Sequence, residues 1–216
     1  MQLTQKEIEQ FKQLPTGNVC DANGKIGNMD AGIKPVDPKS KLVGPAITVV
    51  SSPADNLALH RAIYEAEPGS VLVINAHGYT NAGPFGDIMV TASQARGIAG
   101  VVIDGTCRDS NDIQESGFPM FSRGFNPGGT GKEDLGTIGG PIQCGGVTVR
   151  QGDLIVADRD GVVVIEQEKI HEVLKRALAI FDKEIKVREM LAQGKTTLEI
   201  YGFDKIVDQK LEKLRG

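Results

Sequence analysis

The feature that most constrains the fold is a helix followed closely by a buried strand, within residues 88–103. Residues 88–96 have the apolar spacing of a helix, which Gly97 is expected to end. Val101, Val102 and Ile103 form a β-branched run that is typical of a buried strand. If the helix and the strand pack antiparallel, the carboxyl end of the strand lies beside the start of the helix.

A polar cluster stands at each of these two ends. Gly86-Asp87 begins the helix, and Arg108-Asp109 follows the strand, at the carboxyl end where open α/β sheets usually build their sites. A helix start has unpaired N–H groups and about +0.5 of an elementary charge, so it attracts a carboxylate or phosphate. The backbone amides expected to bind such an anion are those of Gly86, Asp87, Ile88 and Met89.

Each of these residues also has an ordinary structural interpretation. Asp87 is a preferred residue type for a helix N-cap. Arg108 and Asp109 could form a surface ion pair, which is worth roughly 0–1 kcal/mol. The spacing favours a functional interpretation, because Asp87 is followed by twenty residues, then by Arg108-Asp109, and then by a further acid at Asp112.

This pattern resembles the signature of the class II pyruvate aldolases that cleave 4-hydroxy-4-methyl-2-oxoglutarate and 4-carboxy-4-hydroxy-2-oxoadipate. They belong to the family of the regulator of ribonuclease activity A (RraA). Further matching segments follow in the family's order along the chain. They are Asp21-Ala22, residues 44–49 (GPAITV), Asn56, residues 69–73 (GSVLV) and residues 145–165 (GGVTVRQGDLIVADRDGVVVI).

The resemblance implies an α/β fold with a swivelling-type β/β/α core in residues 1–166 and a C-terminal helical arm in residues 167–216. It also implies a homotrimer or a hexamer with sites between subunits. In the family a carboxylate from a neighbouring C-terminal helix helps to complete the metal site, and Glu184 is the first candidate here, with Glu189 second. Glu184 could equally form an i,i+4 ion pair with Arg188.

The implied activity is the cleavage of a 4-hydroxy-2-oxo diacid to pyruvate, together with oxaloacetate decarboxylation, since both reactions leave a pyruvate enolate. Asp109 offers the hard oxygen that Mg²⁺ or Mn²⁺ prefers. Arg108 would bind the developing enolate oxygen. Asp87 would orient or deprotonate a metal-bound water that takes the proton of the C4 hydroxyl, so Asp87, like Glu184, would contact the metal through water. The amides of residues 86–89 would bind the pyruvyl carboxylate of the 2-oxo acid substrate.

A second hypothesis from the same resemblance is a non-catalytic protein that inhibits an RNA-processing ribonuclease. Other functions are less well supported by the sequence. The glycine-rich residues 128–132 do not form a phosphate-binding loop, because Asn126 and Glu133 replace the required glycine and the serine or threonine. A methyltransferase label, given to some relatives, has no nucleotide-cofactor motif to support it.

The amino-acid composition agrees with the resemblance to this family. A net charge of −4 and a pI of about 5.5 argue against a nucleic-acid partner. Three widely spaced cysteines indicate neither a disulfide framework nor a zinc site. No apolar run approaches the ~20 residues of a membrane span, and residues 1–14 lack an apolar signal core. We therefore expect a cytoplasmic protein without a membrane partner.

The remaining pattern predicts alternating helices and strands. Helices are expected at residues 4–14, 55–66 and 166–193, with a short helix in 197–215. Strands are expected at residues 46–50, 71–75, 118–121, 147–149, 154–157 and 162–165. Asp21 is expected in a cap or turn, and His77 in a loop after a strand, from which it could approach the site.

Overall fold

The computed structural model describes residues 3–215, so the expected domain ends at residues 1 and 216 lie outside it. The helices are α1 (Gln5–Gln13), α2 (Thr16–Ala22), α3 (Leu57–Glu65), α4 (Asp87–Ala95), α5 (Ser110–Ser116), α6 (Ile170–Ala192), α7 (Thr197–Tyr201) and α8 (Asp204–Arg215). The strands are β1 (Lys34–Pro35), β2 (Leu42–Val50), β3 (Val71–Tyr79), β4 (Gly100–Gly105), β5 (Met120–Ser122), β6 (Thr137–Ile138), β7 (Ile142–Cys144), β8 (Val147–Val149), β9 (Leu154–Asp158) and β10 (Gly161–Ile165).

One strongly curved sheet of eight strands forms the centre of the protein, in the order β1-β5-β4-β3-β2-β9-β10, with β6 paired to β2. Strands β2, β3, β4 and β5 run parallel to one another, whereas β1, β6 and β9 pair antiparallel with this group and β9 and β10 form an antiparallel hairpin. Strand β2 joins the two parts, because residues 42–45 pair with β9 and residues 46–50 pair with β3. The sheet is thus a nearly closed barrel, and the expected α/β fold with a β/β/α core is confirmed.

Alternate residues of the central strands face two different cores, as the period of two in a strand requires. Val73 and Val102 face the inside of the barrel, where they pack with Phe121. Leu72 and Ile103 face the layer that contains α3, α4 and α5. Both faces are therefore apolar, which explains the continuous apolar runs in the sequence.

The first part of α6 packs on the core, and its second part leaves it. Ile170, Leu174 and Ala177 are buried beside α1 and α2. Further along, Ile185 is 42% exposed and Leu191 is 38% exposed. The predicted helix at residues 166–193 is confirmed, although the proposed division into domains at residue 166 stays a prediction. Within residues 3–215, no helix has the length and apolar character needed to cross a membrane.

Four local predictions were wrong. Residues 16–22 form a helix, and Asp21 lies in its last turn rather than in a cap. Residues 110–116 form a second unpredicted helix. Strand β3 continues past Asn75 to Tyr79 through an irregularity, so His77 lies in a strand. The strand expected at residues 118–121 lies at Met120–Ser122.

The side chain of Glu7 links α1 to α6. We expect this link to make the free energy of unfolding depend on pH. Its carboxylate accepts hydrogen bonds from the Thr4 N–H at 2.9 Å and the Thr4 hydroxyl at 2.7 Å, and lies 2.6 Å from Nδ1 of His171. The bonds from Thr4, followed by that from His171, lower the pKa of Glu7 from 4.5 to about 2. Since the folded pKa is depressed, this stabilisation is complete above pH 4.5 and is lost as the pH falls towards 2.

We therefore expect the melting temperature of Glu7→Gln to fall less between pH 5 and pH 2 than that of the wild type, on the order of a few degrees. Thermal unfolding followed by circular dichroism measures this difference. Glu9→Gln is the control on the same helix, because Glu9 has exposed contacts within α1, with Gln5 at 2.9 Å and with Lys12 at 3.0 Å. An identical pH dependence in Glu7→Gln and the wild type would contradict the assignment.

Candidate active site

The start of α4 and the end of β4 meet at one edge of the sheet. Helix α4 connects the parallel strands β3 and β4, so its first residue lies at the carboxyl end of both strands. The backbone N–H of Arg108 donates to the carbonyl oxygen of Phe85 at 3.0 Å, which joins the segment after β4 to the segment before α4. The helix start and the strand end therefore lie side by side, as the sequence predicts.

Residues 80–86, which we call the entry loop, lead from β3 into α4. Several of the loop's carbonyl oxygens are held by donors from elsewhere in the chain. These bonds are Asn126 Nδ2 to Thr80 O (2.9 Å), Thr106 Oγ1 to Ala82 O (2.6 Å), Asn56 Nδ2 to Pro84 O (3.0 Å) and Arg108 N to Phe85 O (3.0 Å). The loop conformation is thus set by tertiary contacts, which leave N–H groups open at the helix start.

Gly86, rather than Asp87, is the N-cap of α4, so the interpretation of Asp87 as an N-cap was wrong. Asp87 is the first residue of the helix, and its side chain is half-buried. Among residues 3–215, the backbone N–H groups of Gly86, Ile88 and Met89 find no acceptor. Three open donors at the positive end of a helix form an anion-binding arrangement.

Asp109 has an unusual backbone conformation that directs its side chain towards α4. It is the N-cap of α5, yet it has φ 58° and ψ 40° and makes no side-chain cap bond. Its Oδ2 instead accepts a long hydrogen bond from the Asp87 N–H at 3.3 Å. A left-handed conformation of a non-glycine residue costs on the order of 1 kcal/mol and is concentrated at functional sites.

The absence of a side chain at Gly86 allows this approach. A Cβ atom at Gly86 would lie 2.3 Å from Asp109 Oδ2 and 3.0 Å from Arg108 Nε. Gly86 has φ −133°, which any residue can adopt, so the requirement for glycine here is one of space. Gly86, Arg108 and Asp109 therefore form one tightly packed group.

Arg108 borders the same space and is 44% exposed. Its Nε lies 3.4 Å from Asp109 Oδ2, so the expected ion pair exists in a loose form. In the part of the chain that the structure describes, the two terminal nitrogens of Arg108 make no hydrogen bond. They remain available to bind a carboxylate or an enolate oxygen.

Cys107 precedes this group but has little capacity as a nucleophile. The side chain is fully buried, and burial raises the pKa of its thiol. Because the thiolate is the reactive form of cysteine, the raised pKa keeps Cys107 unreactive. The chemistry of the site therefore lies with Asp87, Arg108, Asp109 and the open amides.

The available side chains fit a hydrated hard cation better than a zinc ion. Asp109 and Asp87 offer carboxylate oxygens, and Asp109 is about one-third exposed. No group of three or more histidine, cysteine or acidic side chains suitable for a metal occurs among the described residues. Mg²⁺ commonly binds to one or two carboxylates and keeps several waters, whereas zinc sites use three or four protein ligands.

The other expected site residues lie elsewhere. Glu184 is on the exposed part of α6, where its Oε2 accepts a hydrogen bond from Arg188 at 2.8 Å. Glu189 is further along the same helix. His77 is exposed, and its backbone N–H donates to the Asn75 side chain at 2.8 Å. Within residues 3–215, none of these three side chains forms a hydrogen bond with Asp87, Arg108 or Asp109.

A separate cavity of about 390 Å³ lies at the other end of the parallel strands. Its lining includes Ile8, Gly69 and Ser70, and Ser70 directly precedes β3. Among the described residues, Glu67 is the only ionisable one that lines it. This cavity is therefore distinct from the group around Asp109.

The chain is similar to known proteins over most of its length. The chain is 42% identical over 178 residues to a Halalkalibacterium halodurans protein provisionally named 4-hydroxy-4-methyl-2-oxoglutarate aldolase, with 81% of this chain and 85% of that protein covered. A crystal structure of an uncharacterized protein from Pseudomonas syringae has a TM-score of 0.82 at 32% identity, covering 91% of this chain and 92% of that one.

A second solved structure is RraAS2 of Streptomyces coelicolor, described as an unusual member of the RNase ES inhibitor RraA protein family. It has a TM-score of 0.78 at 28% identity, with 88% of this chain and 100% of that chain covered. The family model described as RraA-like, Aldolase/RraA, matches residues 16–164. These residues contain the entry loop, Asp87, Arg108 and Asp109, and the chain belongs to the RraA-like family.

Proposed function

We propose that this protein is a divalent-metal-dependent aldolase that cleaves 4-hydroxy-2-oxo diacids to pyruvate and also decarboxylates oxaloacetate. The observation that carries the proposal is the convergence of Asp109, Arg108 and the open amides of α4 within one small space. Cleavage beside a keto acid leaves an enolate, so the site must stabilise negative charge. A guanidinium and a row of N–H groups are suited to this task.

The proposed role of each residue follows from its chemistry. The N–H groups of Gly86, Ile88 and Met89 would bind the carboxylate next to the keto group. The terminal nitrogens of Arg108 would donate to the enolate oxygen as it gains charge. Asp87, half-buried beside them, would orient a water and accept the proton of the C4 hydroxyl.

Asp109 would hold a Mg²⁺ or Mn²⁺ ion, and such an ion supplies Lewis-acid polarisation of the keto oxygen when it is bound. Since, within the described part of the chain, the Asp109 carboxylate accepts only the long bond from Asp87 N–H and the loose contact with Arg108, it retains oxygen lone pairs for a cation. The proposed reaction does not depend on a lysine that forms a Schiff base.

We further propose that the protein is a homotrimer or hexamer in which a neighbouring copy covers the site. The supporting observation is the C-terminal arm, where several apolar side chains of α8 are exposed in one protomer. Ile206 is 49% exposed, Leu211 44% and Leu214 83%. A helix of 12 residues is marginal alone in water. In such an assembly Glu184 of a neighbouring copy is the first candidate to approach the cation, and Glu189 the second.

The decisive experiment is a pyruvate-release assay coupled to lactate dehydrogenase. Oxaloacetate and 4-hydroxy-4-methyl-2-oxoglutarate are supplied with Mg²⁺ or Mn²⁺, and parallel reactions contain EDTA. We expect release of pyruvate that EDTA stops and that added metal restores. Rates equal to the metal-only background in every condition would refute the enzymatic proposal.

The second candidate function is inhibition of an RNA-processing ribonuclease, which the description of the Streptomyces coelicolor neighbour supports. It requires a protein-binding surface rather than the group around Asp109. Titrating this protein into an RNase E-type cleavage reaction tests it directly. Slower RNA cleavage together with no pyruvate release would favour the regulator over the aldolase.

A further inference from the structure

Asn56 is a buried residue whose side chain reaches the entry loop. It is the N-cap residue of α3 and is only 8% exposed. An N-cap asparagine ordinarily accepts a hydrogen bond from its own helix. Here Asp55 accepts the bond from the Leu57 N–H at 2.9 Å, and Asn56 makes no cap bond. The Asn56 amide is therefore free for a different contact.

That contact is with Pro84. Asn56 Nδ2 donates to the carbonyl oxygen of Pro84 at 3.0 Å, across 28 residues of sequence. The same nitrogen lies 3.7 Å from the sulfur of Met89, in the first turn of α4. The Asn56 side chain thus contacts the chain on both sides of Gly86.

The oxygen of the Asn56 side-chain amide indicates that Asn56 does more than stabilise the fold. Its Oδ1 is buried and has no hydrogen-bond partner among the described residues. Leaving a buried polar atom unpaired destabilises the folded state. This cost offsets much of the stability gained from the single bond to Pro84.

The bond to Pro84 has a direct consequence for anion binding. The two carbonyl oxygens that precede Gly86 belong to Pro84 and Phe85, and they are held by Asn56 and by the Arg108 N–H respectively. Without Asn56, the peptide between Pro84 and Phe85 can rotate. Its oxygen would then be free to turn towards the open amides, where its partial negative charge would repel a carboxylate.

We propose that Asn56 is a positioning residue that keeps the Pro84 carbonyl away from the site and so keeps the amides of Gly86, Ile88 and Met89 open for the substrate carboxylate. The inference rests on the proposed function, because it assigns those amides to a 2-oxo acid. The carboxylate is bound equally in the substrate and in the enolate. Loss of Asn56 should therefore raise KM more than it lowers kcat.

The test compares Asn56→Ala with Asn23→Ala. Asn23 is a matched control, since it is 9% exposed and its Nδ2 also donates to backbone carbonyls, those of Ile26 (2.9 Å) and Val164 (3.1 Å). Oxalate with Mg²⁺ serves as the probe, because it resembles the pyruvate enolate. Binding is measured by calorimetry, and the three open amides are followed by NMR of ¹⁵N-labelled protein.

We expect Asn56→Ala to weaken oxalate binding by about tenfold or more, which corresponds to ~1.4 kcal/mol. The amide signals of Gly86, Ile88 and Met89 should shift in this variant before any oxalate is added. KM for oxaloacetate should rise by a similar factor, with kcat changing less. Asn23→Ala should lose thermal stability but keep the affinity for oxalate and the amide signals.

Wild-type oxalate affinity and unchanged amide signals in Asn56→Ala would overturn the inference. If Asn56→Ala fails to fold, the same measurements are made on Asn56→Asp. Aspartate is nearly isosteric with asparagine and has no hydrogen-bond donor when it is ionised. If the wild type releases no pyruvate, the proposed function fails by itself. The positioning role is then judged from the amide signals alone, which are independent of turnover.

Discussion

Replacing Arg108 with alanine is expected to lower the rate of pyruvate release by about 10²–10³, the usual effect of removing one donor to a developing oxyanion. The reason is that both terminal nitrogens of Arg108 are open in the described structure, beside the amides of α4. The change should have little effect on stability, since the side chain is 44% exposed and its pair with Asp109 is loose at 3.4 Å.

Steady-state kinetics with oxaloacetate and Mg²⁺ measure this effect. Arg108→Lys keeps the positive charge but loses the planar fork, so its rate should lie between those of the wild type and the alanine variant. Arg96→Ala is the matched control, because Arg96 caps the other end of α4 and packs over the ring of Tyr64. Free guanidinium at millimolar concentration should partly restore Arg108→Ala. Wild-type turnover in Arg108→Ala, with metal present, would refute the assigned role.

The unit that positions Arg108 was predictable because its signals are local. The helix at Asp87–Ala95 follows from apolar periodicity, and Gly97 terminates it with φ +70°. The strand follows from three consecutive β-branched residues. The proximity of Asp87 and Arg108 follows from a general property of parallel sheets, in which the carboxyl ends of strands share one edge.

The parts that were missed depend on contacts between distant residues. Helix α2 has no side-chain cap of its own. Asp158, 142 residues away, instead accepts hydrogen bonds from the Thr16 N–H at 3.0 Å and the Thr16 hydroxyl at 2.6 Å. The bond from Asn56 to Pro84 is likewise long-range, and in the sequence Asn56 is noticeable only as part of a family motif.

Backbone conformation explains the other features that the sequence did not predict. The N-cap of helix α5, Asp109, is in the left-handed region, so the usual N-cap pattern with an extended residue does not apply. The same conformation turns the Asp109 carboxylate towards Gly86 rather than towards its own helix. A sequence can show that an aspartate follows a strand, but the direction of its side chain depends on φ and ψ values that neighbouring segments determine.

Substituting Gly86 with alanine should change the geometry of the site while every charged group of the site is retained. The new Cβ would lie 2.3 Å from Asp109 Oδ2, and a contact below 3.0 Å forces one of the two atoms to move. The carboxylate is at the end of a side chain and can shift, whereas the backbone at φ −133° accepts alanine. We expect the fold and melting temperature to be nearly unchanged.

Turnover should nevertheless fall by about 10²-fold, since misplacement of a reacting group by roughly 1 Å has an effect of that size. The apparent affinity for Mg²⁺ in the same assay should weaken as well, if Asp109 holds the cation. Gly17→Ala is the control, because nothing lies within 4 Å of its added Cβ. If Gly86→Ala keeps both wild-type turnover and wild-type metal affinity, then the close packing of Gly86 against Asp109 has no role in catalysis. The carboxylate would then have to act from a position that this packing does not define.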